Sequence, residues 1–329
     1  MTLFDDNPHD SDELQQPQGE DASPPAASQP AFPENSAPQL AGDPITYAAG
    51  APSRYAPRPA VPDDLRISWS WRHFLLFLFF VLISLLAANI IVIGYLAEQH
   101  VPPKQMQRVA ESNPQIAIGA SIFIFALIML FLYVTLSLLR QTSFWRALGW
   151  RELRTGSGGK GRPWMYLLAG VGLSIFVAIA GSQVKVTDHM PMEELLGNRN
   201  GAWLVMAMAV LVAPLVEETV FRGYLYPTLA RFVSGISEFF GIESSLAHRV
   251  GVVTSILSTG ILFGLMHGAQ LAWTWGIVGL LIFVGIIFTF ARAQTGTVLA
   301  SFLLHLGYNS MIALATIIGT HGFTKIPTH

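Results

Sequence analysis

The sequence predicts an all-α, polytopic transmembrane helix bundle with about seven to eight spans and a disordered N-terminal tail. Three observations predict it. Of 329 residues, 52% are apolar and only 12% charged, about half the ~25% charge of ordinary soluble domains. Mean hydropathy is +0.47. Apolar runs of about 20 residues, the length that crosses a bilayer, recur through everything that follows residue 65. The chain has no cysteine, which excludes disulfides, thiolate metal sites and cysteine nucleophiles.

Residues 1–65 form the first unit. They hold eleven acids and two bases, and prolines from Pro24 to Pro62 interrupt any regular element. Such a Pro-rich, acidic composition is that of a disordered tail, a solvated tether. Its acidic start without an early apolar core does not match a signal peptide. Residues 66–329 form the second unit, the membrane-embedded helical domain. Its candidate spans lie near Phe74–Ala97, Ile116–Leu139, Trp164–Ser182, Ala202–Tyr224, Gly251–Met266, Leu271–Phe290 and Val298–Ile318. Thr228–Ile242 is a weaker, partial eighth element. Trp69, Trp71, Trp145, Trp150 and Trp164 flank the early spans, where interfacial aromatics belong. Gly156-Ser157-Gly158-Gly159 marks a flexible connection.

Orientation follows from Lys and Arg in short connections. Arg140, Arg146, Arg151, Arg154, Lys160 and Arg162 crowd the connection between the second and third spans. Lys104 with Arg108, and Lys185 with Arg199, are all that the two opposite connections offer. The N-terminus is therefore expected in the cytoplasm. Arg222, Arg231 and Arg249 place the end of the fourth span on that same side.

The fourth span ends in Val216-Glu217-Glu218-Thr219-Val220-Phe221-Arg222-Gly223. An acidic residue in a span costs about 2.5–3.5 kcal/mol on insertion scales and marks a functional site by default. Glu218 and Arg222 are i,i+4, in the favoured order for an ion pair. Glu217 points about 100° away, so the arginine holds one carboxylate and leaves the other for chemistry. Two later spans carry comparable pairs. Phe263 precedes His267 by one turn, and His305 shares a face with Asn309. A carboxylate base, two imidazoles and a carboxamide form a hydrolytic set, with the base activating water and the amide stabilising an oxyanion. Each piece alone has a structural reading: an interhelical hydrogen bond for either histidine, a buried ion pair for Glu218 and Arg222.

Taken together, Glu-Glu-x-x-x-Arg, Phe-x-x-x-His and His-x-x-x-Asn, in separate spans and in this order, resemble the CPBP family. These are membrane-embedded endopeptidases related to the type II CAAX prenyl endopeptidase, also called the bacterial Abi family. The resemblance covers about residues 202–314. It implies an all-helical fold with a conical cavity open to the cytosol. It assigns the water-activating base to Glu217 and the positioning pair to Glu218 and Arg222. His267, His305 and Asn309 become the remaining catalytic residues, the last two at the oxyanion. The implied protein is a glutamate-type intramembrane peptide hydrolase without a cofactor. Its partners would be membrane lipid and membrane-associated protein or peptide substrates, with no nucleic acid; the short tail and compact connections point to a bacterial inner membrane.

Two other readings use the same residues. Glu217, His267 and His305, with Glu218, make an alternative Zn2+ set, although no His-Glu-x-x-His helix is present. A non-enzymatic membrane scaffold is the second. One geometric conflict also stands in the sequence. If Arg249 and Arg222 both sit at one membrane face, His267 lies about 27 Å deeper than Arg249 at 1.5 Å per residue and cannot meet Glu217. A fourth helix that runs on past Tyr224, with Thr228–Ile242 partly embedded, removes the conflict; Pro227 does not forbid it.

Overall fold

A computed structural model describes residues 65–154, 161–185, 195–196 and 199–324. The N-terminal tail and the Gly156–Gly159 stretch lie outside these residues. Every regular element described is helical, as a bilayer demands of a chain with no closed barrel: in lipid, each backbone N–H and C=O must be satisfied within its own segment.

Among the described residues, seven helices are long and apolar enough to cross a membrane. They are α1 (Trp71–Glu98), α3 (Pro114–Leu138), α5 (Pro163–Gly181), α6 (Arg199–Phe239), α7 (Ser244–Met266), α8 (Trp275–Thr295) and α9 (Val298–Gly319). Two short helices, α2 (Pro103–Ser112) and α4 (Phe144–Ala147), lie in the connections on either side of α3. The protein is an integral, multi-pass membrane protein. Leu, Ile and Phe side chains along α1 are left exposed, which suits a surface wetted by lipid rather than water.

Local chemistry fixes the helix ends. Pro103, Pro114 and Pro163 stand in first turns, where a missing N–H costs nothing. Asn113 caps α3 by accepting from the Gln115 and Ile116 amides at 3.0 and 3.3 Å. Gly296, at φ 69°, closes α8 in the left-handed conformation. Thr297 then caps α9 through Leu299 N at 3.1 Å.

The fourth span is the departure from regularity. At 41 residues, α6 is about twice the ~20 residues that cross a bilayer. It is interrupted by two π-helical stretches, Met208–Val212 and Thr219–Leu225. Each ends two residues before a proline. The Ala213 amide reaches back five residues to Met208 O, and the Tyr226 amide does the same to Phe221 O. Pro214 and Pro227 follow, each without an N–H and each crowding the carbonyl four residues back. Opening the turn to the wider π register relieves that crowding.

The run-on of α6 past Tyr224 removes the geometric conflict. Tyr226–Phe239 folds back through the turn at Gly241 and packs antiparallel to the start of α7. Gly251 there lies so close to Ala230 O that a Cβ would collide with it. Glu217 and His267 stand about equally far from that turn along the chain, so the hairpin brings them to one level. Arg222 is wholly buried; it marks the interior, not the end of the fourth span, because Glu218 and neighbouring polar groups replace the water it would otherwise seek. Trp69 likewise turns inward. It is buried, donates to Thr228 Oγ1 at 2.7 Å and stacks on Tyr224 at 5.1 Å, whereas Trp71, Trp145 and Trp164 stay exposed.

Helix contacts carry the site into register. Added Cβ atoms at Gly170 of α5 and Gly307 of α9 would collide with Leu304 O and Leu167 O, so these two helices meet backbone to backbone, as small residues permit in membranes. Gly260 and Gly264 of α7 do the same against α8, with built Cβ atoms 2.7 and 2.6 Å from Ile286 N and Ile282 N.

Candidate active site

α6, α7, α8 and α9 converge on one cluster. Glu218 and Arg222 have 0% exposed side chains and pair at 2.8 Å through Oε1 and the first terminal nitrogen. The guanidinium is satisfied further from α8: its Nε donates to Thr289 Oγ1 at 3.3 Å and its second terminal nitrogen to Gly285 O at 3.0 Å. Thr289 itself donates to Gly285 O at 2.7 Å. Three aromatic rings close the cage. The Arg222 Cζ lies 4.5 Å from the Phe263 ring centre, 5.4 Å from that of Phe288 and 5.7 Å from that of Phe221, within cation–π range. A charge buried this way keeps the energy of its pair only while every donor has a partner.

His305 joins the cluster from α9. Its Nδ1 lies 2.9 Å from Glu218 Oε1. A carboxylate only accepts, so Nδ1 carries the hydrogen. The opposite ring edge, Nε2, lies 4.0 Å from Glu217 Oε2. Phe288 and Phe263 hold the ring plane, with centroid distances of 4.9 and 5.8 Å. The consequence is a division between two adjacent carboxylates. Glu218 is sequestered by Arg222 and His305. Glu217 keeps 12% of its side chain exposed and turns into a cavity.

That cavity holds about 590 Å3. Glu217, His267, His305, Tyr308 and Asn309 supply polar groups to its wall, and apolar side chains of α3, α5, α6, α8 and α9 line most of the rest. His267 stands at the C-terminal end of α7. Its Nδ1 lies 2.8 Å from Phe263 O, and a carbonyl only accepts, so this ring too carries hydrogen on Nδ1 and leaves Nε2 as an acceptor. The Phe263 ring stacks near it at 4.8 Å. Phe263 thus steadies His267, His305 and Arg222 together.

Asn309 is held by the first π-helical stretch. Its Nδ2 donates to Ala209 O at 2.7 Å. In the π register that carbonyl would pair with residue 214, which is proline. Asn309 supplies the missing donor, and its carboxamide is fixed at the cavity wall as a result.

Glu217, Glu218, Arg222, His267, His305 and Asn309 therefore all border one cavity or the ion cluster beneath it. Sequence reading missed Thr289, Gly285 and Phe288, which complete the Arg222 and His305 surroundings. A Gly-x-x-x-Thr pair in an apolar span carries no charge to signal its role. Among the described residues, no group of three or more His, Asp or Glu side chains is placed to hold a metal ion. Glu218 is engaged by Arg222 and His305, while His267 and His305 each commit only Nδ1 to a protein acceptor and keep Nε2 open, an arrangement that metal-binding histidines share; metal analysis distinguishes the two readings.

Residues 199–311 match the family model described as type II CAAX prenyl endopeptidase Rce1-like. No curated protein and no solved structure matches the chain.

Proposed function

We propose that this chain, a member of the CPBP family through its match to the Rce1-like type II CAAX prenyl endopeptidases, hydrolyses peptide bonds of membrane-associated substrates with a water activated by Glu217. The observation that carries this reading is the contrast between Glu217, turned into the cavity, and Glu218, closed off by Arg222 and His305. A base must have reach as well as affinity for its proton, and only Glu217 has reach.

The roles follow from hydrogen-bond chemistry. Water in the cavity donates one hydrogen to Glu217 and the other to the Nε2 acceptor of His267. Its lone pair is then free for the scissile carbonyl. Glu217 takes the proton as the new C–O bond forms, and the carbonyl electron pair moves onto oxygen. Asn309, with one Nδ2 hydrogen committed to Ala209 O, offers the other to that oxyanion. His305, its Nδ1 hydrogen held by Glu218, turns its Nε2 edge toward the same space. Collapse of the tetrahedral species breaks the C–N bond, and the proton held by Glu217 passes through His267 to the leaving nitrogen. A mostly apolar wall around the reacting atoms strengthens each of these interactions relative to water.

The substrate's apolar portion would lie along the cavity wall, which suits a lipid-bearing or hydrophobic peptide; the family's prenylated CAAX tails are one such class. We place the N-terminus in the cytoplasm on the distribution of Lys and Arg, and the protein in a bacterial inner membrane on its compact connections. The test compares protein N- and C-termini in membranes of cells carrying the wild type or Glu217→Gln at matched levels. Termini that vanish only in the variant support proteolysis and name its substrates. Identical termini, with the variant folded, remove the peptidase reading.

A further inference from the structure

Tyr308 stands in the wall of the cavity beside the site, and the mechanism above gives it no part. Only 6% of it is exposed. Buried tyrosines usually find a hydrogen-bond partner for the hydroxyl; the Tyr224 hydroxyl, for one, meets His73 Nδ1 at 2.7 Å. Among the described residues the Tyr308 hydroxyl has no such partner, and its oxygen is not sealed from open space. A hydroxyl held in a mostly apolar wall is unfavourable until something accepts from it. We propose that the Tyr308 hydroxyl donates to a main-chain carbonyl of the bound substrate, the one next to the scissile carbonyl. This rests on the peptidase reading above and deepens it: Tyr308 becomes a residue that sets how the substrate lies.

The position of Tyr308 on α9 supports the assignment. His305, Tyr308 and Asn309 are i, i+3 and i+4, so all three turn toward the cavity. Neighbours on a helix still diverge by about 100°. Asn309 leans to α6, where it donates to Ala209 O at 2.7 Å. Tyr308 leans the other way, its ring 6.1 Å from that of Phe288 and in one apolar cluster with Val284 of α8. Among the described residues, α5 and α8 bring only apolar side chains to the cavity wall, Val177, Leu280, Leu281 and Val284 among them. Tyr308 therefore supplies a donor to a flank that has none of its own. An extended peptide turns successive side chains to opposite faces, and its successive carbonyls alternate as well. A scissile carbonyl directed to Asn309 sends the adjacent carbonyl toward Tyr308, on the other side of His305. The apolar flank of α5 and α8 then receives a substrate side chain, so the site selects an extended chain with an apolar residue beside the scissile bond.

The test uses the full chain in reconstituted vesicles and an internally quenched peptide copied from a cleavage site whose termini vanish in Glu217→Gln membranes. Tyr308→Phe keeps the ring and removes only the oxygen. KM should rise roughly 3- to 10-fold, the worth of one hydrogen bond, while kcat stays within about twofold of the wild type and the unfolding midpoint does not move. A hydroxyl with a structural role alone would shift the midpoint and leave KM as it is. A second measurement changes the peptide instead. A thioamide sulfur is a weaker acceptor than a carbonyl oxygen, so a thioamide next to the scissile carbonyl should raise KM for the wild type by a similar factor and add nothing in Tyr308→Phe. Unchanged KM in Tyr308→Phe, or equal thioamide losses in both proteins, overturns the proposal while Glu217→Gln remains inactive and the peptidase reading stands. A Tyr308→Phe protein that does not fold makes the hydroxyl structural and overturns it too. Equal cleavage by the wild type and Glu217→Gln would instead end the peptidase reading, and this proposal with it.

Discussion

Glu218 accepts hydrogen bonds from Arg222 and His305 in a fully buried position, whereas Glu217, one residue earlier, faces the cavity with, among the described residues, no ion pair of comparable length. Their substitutions should therefore separate stability from activity. Glu218→Gln leaves Arg222 buried without its carboxylate, and breaking such a pair costs about 3–5 kcal/mol. Glu217→Gln removes no buried pair and should leave the unfolding midpoint in detergent nearly unchanged. Equal destabilisation of both variants would contradict this division of roles. The Glu218–Arg222 pair was legible in the sequence because i,i+4 spacing and opposite charge suffice to predict it. The partners on α8 were not. Thr289 bonds the carbonyl four residues back, as threonines in spans commonly do, so nothing in its spacing tells that Arg222 uses the same hydroxyl.

At the scale of elements, the two π-helical stretches of α6 bracket the paired glutamates, and π-bulges recur at functional sites. Their cause is written in the sequence as Pro214 and Pro227, but a proline in a span tells only that the ladder is interrupted. It does not tell whether the helix kinks or widens, or which side chain meets the freed carbonyl. Pro214→Ala gives the chain an N–H that competes with Asn309 for the Ala209 region. We expect this variant to be at least as stable as the wild type yet less active, because Asn309 loses its fixed orientation. Parallel measurement of unfolding and peptide hydrolysis checks this; unchanged hydrolysis would show that the bulge is not needed. The spans themselves read well, since an apolar run of bilayer length needs no tertiary context to identify it. The fourth helix's extension to Phe239 was also readable, from the need to bring Glu217 level with His267. The short helix α2 and the packing of residues 144–153 against α6 and α9 were not. Both are short and of mixed polarity, and the second is fixed by Trp150 on Thr219 and by Thr297 on Arg151.

Across the whole molecule, the mostly apolar cavity and the helical bundle suit hydrolysis inside a membrane protein, with reactive groups drawn from three helices. The scaffold reading gives no reason for a carboxylate kept apart from its neighbour's ion pair at the end of a cavity. The metal-free reading makes a prediction at this scale. Protein stripped with a zinc chelator should keep its hydrolytic rate, and elemental analysis of the active preparation should find no stoichiometric metal. Loss of activity that zinc alone restores would move Glu217, His267 and His305 to ligand roles. With no cysteine in the chain, thiol alkylation should also leave the rate untouched.

The most direct measurement takes purified, membrane-reconstituted protein and a peptide whose cleavage in cells depends on Glu217. Hydrolysis is followed for the wild type and Glu217→Gln at matched folding. Removal of a general base costs roughly 10²–10⁴ in rate, so cleavage by Glu217→Gln should fall by that order while peptide binding persists. Cleavage at the wild-type rate by a folded Glu217→Gln protein would contradict the role of Glu217 as the base, and with it the mechanism built on the two glutamates.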